Sequence, residues 1–271
     1  MIKAPGIPKG EANLIRAIEK RGLSIFTFDQ AMELTPIGRD SVKKLIYNLT
    51  KKRRIQRIER GKYLFIPVSV RGRRAYSEKG TIIAANLIDP YYLSYWTALN
   101  FYGWTEQPSQ TIFIATTKQK APLNVKGMTF KFIRLRPNRF FGYRRLRDGP
   151  YKIAVADKEK TIVDCLDQPR YCREIVEAAK GIWNGRNEID FYKILTYAER
   201  MKNGAVVKRL GYIMQTLEIL TPDFRQKLLS RVKRGIVNLD PDGSKARGRI
   251  IPEWQLRANI DPKNLTEWMR H

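Results

Sequence analysis

The sequence predicts an α+β fold, with a small N-terminal domain at residues 1–72 and a larger mixed α/β C-terminal domain at residues 73–271. The length of 271 residues is more than one small hydrophobic core usually organises. The N-terminal quarter shows helical and then hairpin periodicity, whereas the remainder alternates strand and helix patterns. A basic stretch, VRGRRAY at residues 70–76, separates these regions and marks the expected boundary.

The N-terminal domain opens with two predicted helices. Residues 11–21 carry apolar side chains at helical spacing, and Gly22 provides a stop signal. Thr27 followed three residues later by Gln30 is a capping box, which predicts the start of a short second helix. Pro36 ends that helix, because proline cannot continue a helical hydrogen-bond ladder.

A third helix and a hairpin complete this domain. Residues 39–51 form an amphipathic helix whose predicted buried stripe is Val42, Leu45, Ile46 and Leu49. Its outward side chains include Lys43, Lys44, Tyr47 and Lys51. Two alternating runs, IQRIE and KYLFIP, flank Arg60 and Gly61 and predict a β-hairpin. Helix, helix, turn, helix and hairpin is the order of a winged helix-turn-helix.

The charge is large and uneven. The formal net charge is +26 and the pI is about 10.2. Residues 1–74 hold 18 basic and 6 acidic side chains, and residues 118–152 hold 11 basic side chains against the single Asp148. A surface that repels itself this strongly favours a polyanionic partner, and nucleic acid is the first expectation.

In a winged helix the third helix enters the major groove while the hairpin contacts the flanking backbone. Arg39 and Asn48 are the expected base contacts, because forked and amide groups read base edges, whereas the lysines suit phosphates. The predicted DNA-binding residues are Arg39, Lys43, Lys44, Asn48, Lys51, Lys52, Arg53, Arg54, Arg57, Arg60 and Lys62. The alternative is a solvated face on a wing that contacts protein.

We define residues 118–152 as the second basic segment. Its predicted basic patch is Arg134, Arg136, Arg139, Arg144, Arg145 and Arg147. The interleaved aromatic side chains are Phe130, Phe132, Phe140, Phe141 and Tyr143. Such a mixture either stacks single-stranded bases or places its aromatic face in the core and its charges in water. A contact with RNA or with an acidic protein stays open.

The larger domain shows alternating patterns. GTIIAANLI and YLSYWTALNFYGW predict helices, whereas TIFIATT, MTFKFIRL and YKIAVA predict strands. Asp157 is expected to cap a helix through EKTIVDCL, which Pro169 closes. Three further helices are predicted at REIVEAAKGIW, IDFYKILTYAERM and AVVKRLGYIMQTLEIL. A short helix at FRQKLLSRVK and extended chain around a DPDG turn follow.

Residue types argue for binding rather than catalysis. The only histidine, His271, ends the sequence, and neither a P-loop nor a GxGxxG turn is present, so no catalytic residue, metal or cofactor is predicted. Asp148, Asp157 and Glu159 weakly suggest a metal-dependent nuclease, the less favoured alternative. Cys165 and Cys172, seven apart in one predicted helix, suit two buried thiols.

Compartment is also inferred from composition. No apolar run approaches the roughly 18 residues of a membrane span, and residues 1–10 lack the apolar stretch of a secretory signal. We therefore expect a cytoplasmic protein without a membrane partner.

The order of segments resembles the AbiEi family, the antitoxin and transcriptional repressor of type IV toxin-antitoxin operons. The resemblance covers about residues 11–220 and runs through RGKYLFIP, YYLSYWTALNFYGWTEQ, TIFIATT, FGYRR, IAVADKEKTIVDCL and VVKRLGYIMQTL. Its most specific parts are Tyr92-Leu93-Ser94 with Ala98-Leu99, and Glu159-Lys160-Thr161 with Asp164. The tail, residues 221–271, lies outside it.

The resemblance implies a repressor of its own promoter that binds double-stranded DNA through the N-terminal domain. It also implies that the C-terminal domain counteracts a nucleotidyltransferase-like toxin, or acts at that toxin's RNA target. A stand-alone winged-helix transcription factor is the alternative. A neighbouring gene for a nucleotidyltransferase would favour the antitoxin, and its absence would favour the stand-alone regulator.

Overall fold

The computed structural model describes residues 8–66, 80–106, 109–125, 127–148, 151–243 and 248–270. These residues combine helices with three β-sheets, so the predicted mixed α+β class is confirmed. Contacts divide the chain into two compact units, which we call the first unit, residues 1–89 with 147–152, and the second unit, residues 90–146 with 153–271. The predicted boundary at residues 70–76 lies outside the described residues.

The helices of the first unit follow the predicted pattern. They are α1 (Lys9–Lys20), α2 (Phe28–Leu34) and α3 (Arg39–Lys51). The capping box is confirmed: the Gln30 backbone N–H donates to Thr27 Oγ1 at 3.1 Å, and the Thr27 N–H donates to Gln30 Oε1 at 2.8 Å. Gly22, just after α1, has φ +62°, a left-handed conformation that glycine adopts without strain. Residues 80–85 are also helical, as GTIIAANLI predicts.

A three-stranded antiparallel sheet completes the first unit. Its strands are β1 (Ile25–Thr27), β2 (Ile55–Glu59) and β3 (Lys62–Phe65), in the order β1-β3-β2. The predicted hairpin is present, with a register shift between Arg57 and Glu59 and a positive φ of 74° at Gly61 in the turn. Strand β1 was not predicted, because three residues are too short for a period-two pattern to be visible.

One apolar cluster holds these elements together. It contains Leu14, Ile18, Phe26, Ala31, Val42, Ile46, Leu49, Ile55 and Phe65, all buried. Of the stripe predicted on α3, Leu45 is only half-buried, while the other three members belong to the cluster. The apolar side of α3 is therefore packed against α1, α2 and β2, and its other sides are left to solvent.

A six-stranded mixed sheet follows along the chain. Its strands are β4 (Tyr91–Leu93), β5 (Thr111–Thr116), β6 (Leu123–Val125), β7 (Met128–Arg134), β8 (Tyr143–Asp148) and β9 (Tyr151–Ala156). The order is β6-β7-β5-β4-β9-β8. Strand β4 pairs antiparallel with β5 and parallel with β9, while β7 pairs parallel with β5 and antiparallel with β6. The three strands that the sequence predicted here are confirmed.

The helices of the second unit are α4 (Trp96–Phe101), α5 (Lys158–Asp167), α6 (Ile175–Gly185), α7 (Phe191–Met201), α8 (Gly204–Thr216) and α9 (Pro222–Leu229). Asp157 caps α5 as predicted, accepting the Lys160 N–H at 2.8 Å. Short 3₁₀ helices lie at Pro137–Arg139, Pro169–Cys172, Pro252–Trp254, Pro262–Leu265 and Glu267–Arg270.

The tail packs on the second unit. Strands β10 (Val237–Asn238), β11 (Arg249–Ile251) and β12 (Leu256–Ala258) form a small sheet in the order β10-β12-β11. Trp254 is fully buried against α8, where a Cβ on Gly211 would overlap the indole ring. Glycine at this position is therefore what lets the tryptophan approach the helix.

Two sequence predictions need correction. The run YLSYWTALNFYGW was predicted as one helix, but Tyr91–Leu93 is strand β4 and the helix begins at Trp96. Strand β4 lies between β5 and β9, and a central buried strand forms a continuous apolar run that resembles a buried helix. Cys165 and Cys172 are free and buried as predicted, but Cys172 lies in a separate 3₁₀ helix beyond Pro169.

Candidate nucleic-acid interface

The outer surface of α3 is basic. Arg39, Lys43, Lys44 and Lys51 are exposed. A helix turns 100° per residue, so the burial of Val42, Ile46 and Leu49 directs these four side chains to the remaining sides of the helix. Asn48, the predicted amide contact, is half-buried on the same helix. The structure thus brings five of the predicted DNA-binding residues together on one helix surface.

The hairpin carries a second set of cations. Arg57 and Arg60 are exposed, whereas Arg54 and Lys62 are half-buried. The Arg57 Nε donates to the Glu59 carbonyl at 3.3 Å, a local contact that orients the guanidinium along the strand. Lys62 Nζ donates to the Asn86 carbonyl at 3.0 Å and lies 3.7 Å from Glu59 Oε2. Arg57 and Arg60 are therefore the cations of the hairpin that project into solvent.

An open groove of about 410 Å³, which we call the α3 groove, lies between α3 and the hairpin. Its apolar lining is Phe28, Ile46 and Tyr63, and its basic lining is Arg39, Lys43 and Arg57. The Arg39 guanidinium carbon lies 5.0 Å from the centre of the Phe28 ring, a cation–π contact that restrains the side chain. Predicted base-contacting and backbone-contacting residues thus share one concave surface.

Tyr47 and Thr50 complete the lining of the α3 groove. Tyr47 is 66% exposed, the largest value among the exposed large hydrophobic side chains. The sequence pattern placed Tyr47 on the outer side of α3 without assigning it a role. The sequence pattern of α3 could not predict that Tyr47 lines a groove, because Phe28 and Tyr63 of that groove come from other elements of the chain.

Some predicted DNA-binding residues have partners within the protein. Lys52 Nζ pairs with Glu11 Oε2 at 2.7 Å, and the Glu11 side chain is 1% exposed. Lys43 Nζ pairs with Asp40 Oδ1 at 2.8 Å, and this hydrogen bond lowers the pKa of the exposed Asp40 carboxyl. Arg53, which follows α3 at φ +55°, is exposed. Lys52 therefore compensates a buried carboxylate, whereas Lys43 is held only by a solvated pair.

The arginines of the second basic segment also fall into two groups, those with partners in the protein and those exposed to solvent. Arg139 pairs with Asp167 at 3.4 Å, Arg144 donates to Tyr102 Oη at 3.5 Å, and Arg134 lies 3.5 Å from Gln119. Burial raises the pKa of the Tyr102 hydroxyl, while Arg144 opposes that effect. Arg136, Arg145 and Arg147 are exposed. About half of the predicted patch is thus engaged internally.

The aromatic side chains of this segment pack inward. Phe130 and Phe141 are buried, and Phe132, Phe140 and Tyr143 are half-buried. Tyr143 stacks on the buried Tyr92 with ring centres 5.3 Å apart, and Phe140 lies 5.1 Å from the same ring. This packing agrees with the structural interpretation of the aromatic residues rather than with base stacking.

The motif residues of the second unit form one buried network. Ser94 Oγ donates to Asp164 Oδ2 at 2.6 Å, and Tyr92 Oη donates to the same oxygen at 3.2 Å. Lys160 Nζ pairs with the other carboxylate oxygen, and all four side chains are fully buried. Burial and the Asp164 charge raise the pKa of Tyr92, so this hydroxyl stays a donor. Both oxygens of the Asp164 carboxylate thus have partners within the protein, which indicates a structural role for the network.

The carboxylates that weakly suggested a nuclease are occupied by donors. Lys193 Nζ lies 3.1 Å from Asp157 Oδ2 and 2.7 Å from Glu159 Oε2. Tyr197 Oη donates to Asp157 at 2.7 Å, and burial together with this bond raises the pKa of Tyr197 to about 12. The Asp148 side chain lies outside the described residues. Within the described part of the chain, no group of three or more acidic, cysteine or histidine side chains is placed to hold a metal.

Arg209 is a buried arginine whose hydrogen bonds stabilise the second unit. Arg209 donates from Nη1 to the Leu166 carbonyl at 2.6 Å and from Nη2 and Nε to the Asn238 carbonyl at 3.1 and 3.2 Å. Burial lowers the pKa of this guanidinium. These hydrogen bonds connect α5 and β10 to α8.

None of the helices in the described ranges is both long enough and apolar enough to span a bilayer.

Comparison with known proteins gives a shared fold. No family model and no curated protein matches the sequence. The chain is similar to the crystal structure of the RV2827C protein from Mycobacterium tuberculosis, with a TM-score of 0.70 and 14% sequence identity. The likeness covers 99% of this chain and 97% of that chain. The two proteins therefore share the mixed α+β fold over nearly their whole lengths.

Proposed function

We propose that the protein is a transcriptional regulator that binds duplex DNA through an N-terminal winged helix-turn-helix. In this proposal α2 and α3 are the helix-turn-helix, and the β2–β3 hairpin is the wing. The single observation that carries the proposal is the α3 groove, where exposed Arg39, Lys43 and Arg57 from two elements line one concave surface. A helix and a basic hairpin that share one surface match the docking geometry of winged helices on the major groove.

Roles are divided by side-chain chemistry. Arg39 and Asn48 read base edges, because guanidinium and amide groups form paired hydrogen bonds with them. Lys44, Arg57 and Arg60 neutralise phosphates, which supplies affinity without sequence preference. Lys52 lies outside this set, because its ammonium compensates the buried Glu11 carboxylate.

The proposal is tested by footprinting the full chain on the DNA upstream of its own gene. We expect a protected stretch with the unmodified protein. Arg57→Ala with Arg60→Ala should weaken binding to all sequences alike, whereas Arg39→Ala or Asn48→Ala should lose roughly tenfold in preference for that stretch over random DNA. Arg136→Ala with Arg145→Ala is the matched control, since these arginines are equally exposed but lie on the second unit.

Two results would contradict the proposal. The first is equal weakening by the control and the wing variants, which would mean that affinity follows total charge rather than the first unit. The second is normal DNA binding by all the variants of the first unit. That result would favour the alternative in which the hairpin contacts protein.

We also propose, from the resemblance of residues 11–220 to the AbiEi family, that the second unit acts as an antitoxin toward a nucleotidyltransferase-like toxin. The resemblance is what supports this proposal. Its motif residues Tyr92, Ser94, Lys160 and Asp164 are buried and stabilise the second unit, so the surface that would meet a toxin lies elsewhere. Co-expression with a neighbouring nucleotidyltransferase should relieve its toxicity. Full toxicity in the presence of folded protein, or the absence of such a gene, would favour the stand-alone transcription factor.

A further inference from the structure

Tyr47 has an unusual environment for a large aromatic residue. Its side chain is 66% exposed on α3, yet it lines the same groove as the apolar Ile46, Phe28 and Tyr63. Arg39, Lys43, Tyr47 and Thr50 are spaced by four, four and three residues, so they form one stripe along α3. The stripe passes from guanidinium and ammonium groups to an aromatic ring and a methyl group.

The other side chains of α3 that reach solvent differ in character. Lys44 and Lys51 are exposed, Asn48 is half-buried, and all three are polar. Only the stripe that faces the α3 groove therefore offers apolar surface beside cations. In the major groove, the 5-methyl of thymine is the one apolar group among the base edges, and apolar side chains contact it.

We propose that Tyr47 contacts a thymine 5-methyl group and makes the protein select thymine at that position of its DNA. The inference rests on the proposed DNA-binding function and adds a specificity-determining residue to it. Lys43 and Arg57 supply the complementary charge that brings phosphates to the α3 groove, where Arg39 also lies. The ring and the apolar lining then remove the methyl group from water when the groove is occupied.

Deoxyuridine provides a direct probe, because it differs from thymidine only by that methyl group. Duplexes of about 30 base pairs, long enough for two half-sites, would tile the DNA upstream of the gene. Each is made once with thymine and once with uracil, and the full chain is titrated against both. For the tightest duplex we expect roughly fourfold weaker binding with uracil, the effect of burying one methyl group.

Variants assign the effect to the residue. Tyr47→Ala should bind the thymine and uracil duplexes equally, whereas Tyr47→Phe, which keeps the ring, should retain the fourfold difference. Tyr192→Ala is the matched control and should keep the fourfold difference, since Tyr192 is a tyrosine 50% exposed on a helix of the second unit. Because Tyr47 is largely exposed, its substitution should leave the melting temperature unchanged, which confirms that the variant is folded.

The outcomes separate this inference from the function on which it rests. Binding that is the same for thymine and uracil duplexes would overturn the role of Tyr47 and leave the DNA-binding proposal intact. An equal uracil penalty in the wild type and Tyr47→Ala would overturn it as well, as would a loss of the penalty in Tyr47→Phe. Failure of every duplex to bind the wild type would overturn both proposals.

Discussion

On α3 of the first unit, lysine and arginine side chains stand in solvent on a helix whose opposite side is buried. On α5 and α8 of the second unit, Lys160 and Arg209 are themselves buried, and each is matched by oxygen atoms of the protein. Lysine and arginine are thus solvent-exposed charges in the first case and internal hydrogen-bond donors in the second. A net charge of +26 does not distinguish these two groups of cations, whereas the exposure and the pairing of each cation do.

Buried and exposed cations should respond differently to substitution, the first in stability and the second in binding. Removing one member of a buried ion pair leaves an uncompensated charge in a medium of low dielectric constant. Removing an exposed cation changes the free energy of unfolding little, because water solvates the charge that remains. Substitutions of buried cations should therefore change the free energy of unfolding, and substitutions on α3 should change DNA affinity.

The largest expected effect is on Lys160. Lys160→Met leaves the buried Asp164 carboxylate without its cation and should lower the free energy of unfolding by about 3–5 kcal/mol. Urea denaturation measures this change. Lys43→Met is the control, since it breaks the solvated pair with Asp40 and should leave the urea midpoint unchanged.

The double variant Lys160→Met with Asp164→Asn should recover much of that loss, because no buried charge then lacks a partner. The amide can still accept from Ser94 and Tyr92, which donate to Asp164 in the native protein. If Lys160→Met and Lys43→Met were equally mild, the buried network would not be the structural element that its geometry indicates.

A smaller effect is expected at Lys52, the exposed partner of a buried carboxylate in the first unit. The Glu11 side chain is 1% exposed and its partner Lys52 is 45% exposed, so water can partly replace the ammonium. Lys52→Met should therefore cost about 1 kcal/mol of unfolding free energy. Its DNA affinity should fall less than that of Arg57→Ala. The reverse order of the two affinities would place Lys52 among the DNA contacts, as the sequence alone predicts.

The smallest expected effect is a pH dependence at Glu159. Burial raises the pKa of this carboxyl, but hydrogen bonds from Lys193 and the Asp190 backbone outweigh burial and hold the pKa below its usual 4.5. Its stabilisation is thus present above pH 4.5 and is lost as pH falls through the lowered value.

Glu159→Gln cannot titrate, so it should be less stable than the wild type at neutral pH. The difference in urea midpoint should shrink as the pH falls to about 3. A difference that grows toward acid pH would contradict the sign of the shift.

Much of the fold of the first unit could be predicted from the sequence. The bounds of α3 agree with the apolar spacing, and the Thr27 capping box is a local signal that needs no tertiary information. Strand β1 could not be predicted, because it is short and its strand partner β3 is distant in sequence. The sequence of strand β4 predicts a helix, because burial by neighbouring strands gives an apolar run without alternation.

The candidate site was partly predictable for similar reasons. Helical periodicity identifies Lys43, Lys44 and Lys51 as outward residues of α3, and the structure finds them exposed. Periodicity could not show that Lys52 meets Glu11, 41 residues away. It also could not show that Tyr47 shares a groove with Phe28 and Tyr63, because that requires the packing of three elements. The sequence pattern does not show which residues far apart in the chain come into contact.

The salt dependence of DNA affinity should show whether α3 and the hairpin form a DNA interface, since it counts the phosphates that the exposed cations neutralise. For the full chain between about 50 and 200 mM salt, six to eight phosphates give a slope of log K against log[salt] of about −5 to −7. Arg57→Ala with Arg60→Ala should reduce that slope by about 2, and Arg136→Ala with Arg145→Ala should leave it unchanged. A slope near zero, or an equal reduction by both pairs of substitutions, would contradict a DNA interface formed by α3 and the hairpin.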